Sequence, residues 1–101
     1  MHIQATHHGG VSTIHIFGEL DSHTASMIRE EIDGVLNLSK YQDIVYDFDG
    51  LSFMDSTGIG MMIGRYKKIR QFNIPSYISG ANLCVEKVIE LAGLYKIMPK
   101  F

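Results

Sequence analysis

A single cysteine, Cys84, leaves nothing to form an internal disulfide with, so the core alone must hold the fold. An inert, buried thiol is expected there, a state that suits a reducing cytoplasm. Long apolar runs are missing as well: none approaches the ~20 residues that span a bilayer. The opening segment, Met1 to Gly10, has His and Gly where a secretion signal needs Lys or Arg followed by an apolar stretch. These absences point to a soluble, cytoplasmic protein with no membrane association. Excess positive charge is lacking too. A formal net charge of −2 argues against nucleic acid, whose phosphates are held by clustered Lys and Arg. The nine basic residues gather only at Arg65, Lys67, Lys68 and Arg70, a run that reads as a solvated helix face. The histidines show no ligand spacing, since His7 and His8 point to opposite faces of a strand, so neither metal nor cofactor is expected. Repeats, low-complexity tracts and linkers are absent, and 101 residues make one domain, 1–101.

What remains is an ordinary globular balance, 46% hydrophobic and 20% charged. A chain of this size buries roughly two thirds of its unfolded surface, enough for one core. His2 to His8 and Val11 to Phe17 read as a hairpin across Gly9-Gly10. Ser12, Ile14 and Ile16 lie on one face of its second strand; Val11, Thr13, His15 and Phe17 lie on the other. A first helix follows the cap residues Asp21-Ser22, places Ile28, Ile32, Val35 and Leu36 at helical spacing, and ends near Leu38. Asp43 to Phe48 is β-branched and aromatic, the best candidate for the central strand. After the Asp49-Gly50 turn, Leu51 to Met54 leads into Asp55-Ser56 and a second helix marked by Ile59, Met62, Ile63, Tyr66 and Ile69. Pro75 confines the next strand, Ile74 to Ser79, to pairing beyond its first residues. Asn82 caps a third helix and Gly93 ends it in the left-handed conformation. Tyr95 to Met98 reads as a short final strand before Pro99. The order β-β-α-β-α-β-α-β describes an α/β domain with a mixed, mostly parallel sheet of about five strands and helices on one face.

The segment 49–70, DGLSFMDSTGIGMMIGRYKKIR, is the chemically informative one. Ser56 falls where a strand has ended and a helix begins, and as N-cap its hydroxyl would accept from an N–H two or three residues on. Thr57 could cap equally well, which leaves one hydroxyl more than structure requires. Gly58, Gly60 and Gly64 share the same helix, and each costs about 1 kcal/mol relative to Ala. Two readings apply. Gly60 and Gly64, four apart, could admit a neighbouring element, and packing is favoured for Gly64. Alternatively, Gly58 and Gly60 leave the first helical turn bare so that another protein can reach Ser56; Gly60 fits either. Enzyme motifs fit poorly. The spacing G-x-G-x-x-x-G is not a dinucleotide fingerprint, no G-K-[ST] follows, and the flanks of Ser56 do not make a G-x-S-x-G elbow. No histidine is placed by sequence to act as its base, although folding could bring His23 near.

FMDSTGIGMMIGRYKKI resembles the phosphorylation-site segment of the anti-anti-sigma factors, members of the STAS domain family. GELDSHTA, from Gly18 to Ala25, is similar to their second signature, and AGLYKI, from Ala92 to Ile97, to their third. The resemblance runs from about Val11 to Met98 in conserved order and spacing, and the GRYK and HTA flanks are most like the branch that serves the sporulation sigma-F switch. It implies a STAS-like fold and a partner-switching regulator with no catalysis of its own. Unphosphorylated, such a protein binds an anti-sigma factor with serine kinase activity and frees a sigma factor. Phosphorylation inactivates it, and a serine phosphatase resets it. Carried over, Ser56 is the phosphoacceptor, with Asp21 on the neighbouring loop. Asp55, Thr57, Gly58, Ile59 and Gly60 complete the partner-binding patch. Thr57 stands where a second Ser is common and becomes a minor acceptor. A phosphoacceptor must enter a kinase, so the first turn should be exposed and Ile59 at least partly accessible. Family members usually add a C-terminal helix where this sequence stops at Phe101. An apolar patch or bare strand edge is therefore expected, with weak self-association or a compensating position for Lys100-Phe101. The alternative to all this is a small nucleotide-binding or hydrolytic protein using the Ser56 loop, or a structural STAS module.

Overall fold

A computed structural model describes residues 2–38 and 40–101; Met1, the first residue of the segment read for a leader, lies outside them. Strands β1 (Ile3–His8) and β2 (Val11–Ile16) form the expected hairpin. Gly9 and Gly10 turn it with φ of 57° and 83°, conformations that a side chain resists. Next come β3 (Gly18–Leu20), α1 (Ala25–Leu38), β4 (Asp43–Asp47), β5 (Leu51–Met54) and α2 (Ser56–Arg70). The chain ends with β6 (Ser76–Ser79), α3 (Leu83–Ala92) and a 3-10 turn over Leu94–Lys96.

The main sheet has the order β1-β2-β4-β6, antiparallel at β1–β2 and parallel elsewhere, with β4 central as expected. Ser12, Ile14 and Ile16 of β2, Ile44 and Tyr46 of β4 and Ile78 of β6 are buried. The apolar ones join a single core with Ile28 and Ile32 of α1, Met62 and Ile69 of α2, and Val85 and Ile89 of α3. The other sheet face carries Gln4, Thr6, Thr13, His15 and Asp47. There the His15 Nδ1 lies 2.7 Å from Asp47 Oδ2. The architecture is the expected α/β layering, with one addition: β3 and β5 pair in parallel as a separate two-stranded sheet. Gly18–Leu20 is too short to stand out by alternation.

Four local readings need correction. Asp21 does not start α1 directly; its Oδ1 accepts from His23 N at 2.8 Å and Thr24 N at 3.2 Å, closing a turn that delivers the chain to Ala25. Cys84 is exposed, because Val85 and Ile89, one residue out of phase with it, define the buried face of α3. Tyr95 to Met98 is not a strand. Gly93, at φ 71°, caps α3, and the chain keeps turning through Lys96 N to Gly93 O and Met98 N to Leu94 O. Leu94 and Met98, four apart, are the residues this turn buries. The strand-like pairing comes later: Ile78 N donates to Pro99 O and Phe101 N to Ile78 O, each at 2.9 Å. Lys100-Phe101 thus lies along the outer edge of β6, and Phe101 packs edge-on against Tyr77 at 5.7 Å. The fourth correction concerns the start of α2.

Candidate functional site

The two-stranded sheet builds the site. β3 and β5 run parallel and end in register at Leu20 and Met54, so Asp21 and Asp55 are the next residues off two adjacent strand ends. Asp55 N donates to Leu20 O at 3.3 Å, tying the two exits together. Strand ends of this kind are where α/β sheets place functional groups, since the chain leaves the core there with its side chains free.

Asp55, not Ser56, is the N-cap of α2. Its backbone is extended (φ −118°, ψ −171°) and its Oδ1 accepts from Gly58 N at 3.1 Å. The tie to Leu20 fixes Asp55 outside the helix, so the first helical φ/ψ falls to Ser56. Ser56 and Thr57 are exposed, and among the described residues the Ser56 hydroxyl has no hydrogen-bond partner. No acidic residue lies in the first turn of α2, so its N-terminal amides and dipole are opposed only by the Asp55 cap.

The glycines divide differently from the expectation. A Cβ on Gly58 would lie 2.7 Å from Leu20 O and 2.9 Å from Leu20 Cγ, so Gly58 is the close-packing glycine. Gly60 and Gly64 have nothing within 4 Å of a built Cβ, which removes the packing reading for Gly64. Gly60 is exposed, but Ile59 is only 6% exposed, contrary to the expected accessibility. Ile59 sits three residues before Met62 on the core face of α2, and helical spacing takes both inward. Its remaining edge lines a shallow apolar groove with Ser56, Val88, Leu91 and Ala92.

Sequence reading missed this second wall. Leu91 is 90% exposed and Leu83 is 83% exposed, so α3 carries apolar side chains on its outer surface as well as on its buried face. The signal was present in the apolar residues of α3 that fall off the Val85–Ile89 stripe. The basic run is also not simply solvated: Arg65 Nε and Lys68 Nζ lie 3.1 Å and 3.4 Å from Asp33 Oδ1 on α1. His23 lies on the Asp21 turn, its Nδ1 3.8 Å from Asp21 Oδ1, and makes no hydrogen bond to Ser56. Among the described residues no His, Cys, Asp and Glu cluster could hold a metal ion, and no helix is long and apolar enough to cross a membrane.

The STAS domain model matches residues 2–101. A protein of Paenibacillus polymyxa named anti-sigma F factor antagonist is 37% identical over 99 residues, covering 98% of this chain and 85% of that one. The solved structure of the anti-sigma factor antagonist SpoIIAA in its unphosphorylated form superposes with a TM-score of 0.80 at 29% identity, covering 98% of this chain and 87% of that one. The phosphorylated form of the Bacillus cell fate determinant SpoIIAA gives 0.70 at 28% identity, covering 98% and 90%.

Proposed function

This chain belongs to the STAS domain family, and from that premise we propose that it is a partner-switching regulator rather than an enzyme. In its unphosphorylated form it binds an anti-sigma factor with serine kinase activity and so frees a sigma factor in the cytoplasm. Phosphorylation on Ser56 ends the binding, and a serine phosphatase restores it. The relative named as an antagonist of the anti-sigma F factor supports the partner class. The existence of SpoIIAA in unphosphorylated and phosphorylated forms supports a phosphate switch.

The observation that carries the reading is the free hydroxyl of Ser56. It stands exposed at the first position of α2 while Asp55 performs the capping, so the serine is available for chemistry without structural loss. In this reading Ser56, Thr57 and Gly60 meet the partner directly, with Asp21 and Asp55 beside them. Gly58 and Ile59 shape the patch from beneath, one by letting α2 close onto Leu20 and the other by anchoring the turn to the core.

Release by phosphate requires more than surface repulsion. Weakening a complex 100-fold takes about 2.7 kcal/mol, whereas an exposed charge pair supplies at most about 1 kcal/mol. The phosphate must therefore be excluded from, or desolvated within, the interface, where an unpaired charge costs several kcal/mol. The test is to mix the protein with the anti-sigma F factor of its own organism and ATP, and to follow binding and intact mass together. One added phosphate, localised to Ser56 and accompanied by loss of binding, is the expected result. Ser56→Ala should bind and stay bound. Binding by Ser56→Ala no tighter than by the phosphoprotein would make the hydroxyl itself the contact and overturn the switch.

A further inference from the structure

α1 and α2 are closed against each other at one end of their seam and open at the other. The closed end is the ion pair of Asp33 with Arg65 and Lys68. One helical turn back along α1, toward the Ser56 end, stands Arg29, and among the described residues this exposed guanidinium has no ion pair or hydrogen bond. What faces it across the seam is a groove of about 380 Å³ lined by Ala25, Arg29, Thr57, Gly60, Gly64 and Arg65.

Neither glycine is there for the monomer. A Cβ at Gly60 or Gly64 would touch nothing within 4 Å, while each glycine costs the helix about 1 kcal/mol relative to Ala. Spaced four apart, they bare one stripe of α2 backbone along the groove. Away from its Thr57 end, where Asp21 and Asp55 stand nearby, the seam is basic: Arg29 and Arg65 line the groove, Lys68 follows, and Asp33 is already held between the latter two. The groove begins at Thr57, next to Ser56, so it is continuous with the surface that a partner covering Ser56 must bury.

We infer that this groove seats an acidic segment of the anti-sigma partner, its backbone or small side chains against Gly60 and Gly64 and a carboxylate on Arg29. The inference rests on the partner-switching reading and adds a specificity contact to it. A protein segment fits better than a free phosphate compound: Ala25, Gly60, Met61 and Gly64 make half of the lining apolar. With Arg65 ion-paired to Asp33, only the Arg29 guanidinium carries an unpaired charge, which with the Ser26 and Thr57 hydroxyls is not the convergent set of charged donors that a phosphate needs.

The experiment measures affinity for the anti-sigma F factor of the same organism, with melting temperature, for Arg29→Glu, Arg29→Lys, Gly64→Ala, Gly64→Leu and Ser56→Asp; Lys67→Glu, exposed and outside the groove, is the charge control. Arg29→Glu and Gly64→Leu should each weaken binding at least tenfold without lowering the melting temperature. Arg29→Lys should retain most of the affinity, and Lys67→Glu should bind as wild type. Weak binding by Ser56→Asp, with Arg29→Glu and Gly64→Leu within twofold of wild type, would overturn the groove and leave the switch standing. Wild-type protein that does not bind, or Ser56→Asp that binds as well as wild type, would overturn the switch and the groove with it. A lower melting temperature for Gly64→Ala would show that the glycine serves the monomer, against the inference. ATP binding lost in Arg29→Glu, with partner affinity unchanged, would assign the groove to a nucleotide instead.

Discussion

Replacing the three glycines of α2 one at a time with alanine should change stability in opposite directions. At Gly58 the new Cβ would meet Leu20 O at 2.7 Å, Leu20 Cγ at 2.9 Å and Met54 Cγ at 3.0 Å, where ordinary contact begins near 3.4 Å. Leu20 O is backbone and accepts the Asp55 N hydrogen bond, so it cannot recede without loosening the tie between β3 and the start of α2. Overpacking of this kind costs about 1–3 kcal/mol, against a propensity gain of at most about 1 kcal/mol. The net expectation for Gly58→Ala is a loss of roughly 1–2 kcal/mol, which lowers the melting temperature of a domain this size by about 4–8 °C per kcal/mol. Gly60→Ala and Gly64→Ala meet open space, so each should gain up to ~1 kcal/mol and melt several degrees higher. Thermal and urea denaturation followed by far-UV circular dichroism gives the sign directly, with unchanged urea m-values showing that the native state is the one altered. A Gly58→Ala protein that melts as high as wild type would refute the close approach of α2 to Leu20. A destabilised Gly60→Ala would refute the claim that this glycine is free of internal packing.

Asp55→Ala should destabilise by about 1 kcal/mol through loss of the cap, and Ser56→Ala by much less, a contrast that urea titration resolves. Tyr46→Phe should be neutral or stabilising by up to ~2 kcal/mol: the hydroxyl is buried with no hydrogen-bond partner among the described residues, and burial pushes its pKa far up despite the Arg65 guanidinium nearby. A clear loss of stability in Tyr46→Phe would instead identify a bound water on the hydroxyl. Burial and the hydrogen bond donated to Glu86 push the Tyr95 pKa up from 10.0 to about 12, so its contribution is complete below pH 10 and lost as pH rises toward 12. Tyr95→Phe should therefore flatten the part of the alkaline decline in melting temperature that falls in this window.

The features legible in the sequence are those fixed within a few residues. Alternation grouped Ser12, Ile14 and Ile16 on one face of β2, the face that is buried. Asn82 accepts from Val85 N at 2.8 Å, and Gly93 takes the left-handed φ. The position of Ser56 at a strand-to-helix boundary was also legible. The rest was settled by contacts distant in sequence. Asp55, Ser56 and Thr57 are three consecutive residues able to cap, and local chemistry does not choose among them; the bond from Asp55 N to Leu20 O does. The same strand decides which glycine is packed, because Gly58 alone faces β3. β3 itself, three residues long, has too few positions to declare an alternation. Ile59 illustrates a conflict between two legitimate readings. Its helical phase placed it in the core and its neighbourhood to Ser56 placed it at a surface, and the phase prevailed because Met62 and Ile69 fix that face of α2 inward.

The division of labour between Asp55 and Ser56 bears on how such a switch can work at all. Were Ser56 the cap, its oxygen would hold an amide of the first turn, and turning it into a phosphate ester would alter that bond. With Asp55 holding Gly58 N, the cap survives modification of its neighbour. A phosphate on Ser56 then meets unpaired first-turn amides and a favourable dipole, while Asp55 and Asp21 oppose it. The two influences are each about 1 kcal/mol or less and of opposite sign, so the fold is nearly indifferent to the modification. Binding is not indifferent, because an interface that covers Ser56 must strip water from a group carrying close to two charges. A modification that acts on one equilibrium by several kcal/mol and on the other by almost nothing is what a reversible partner switch needs. In the proposed switch, a hydroxyl one residue inside the cap would achieve that separation.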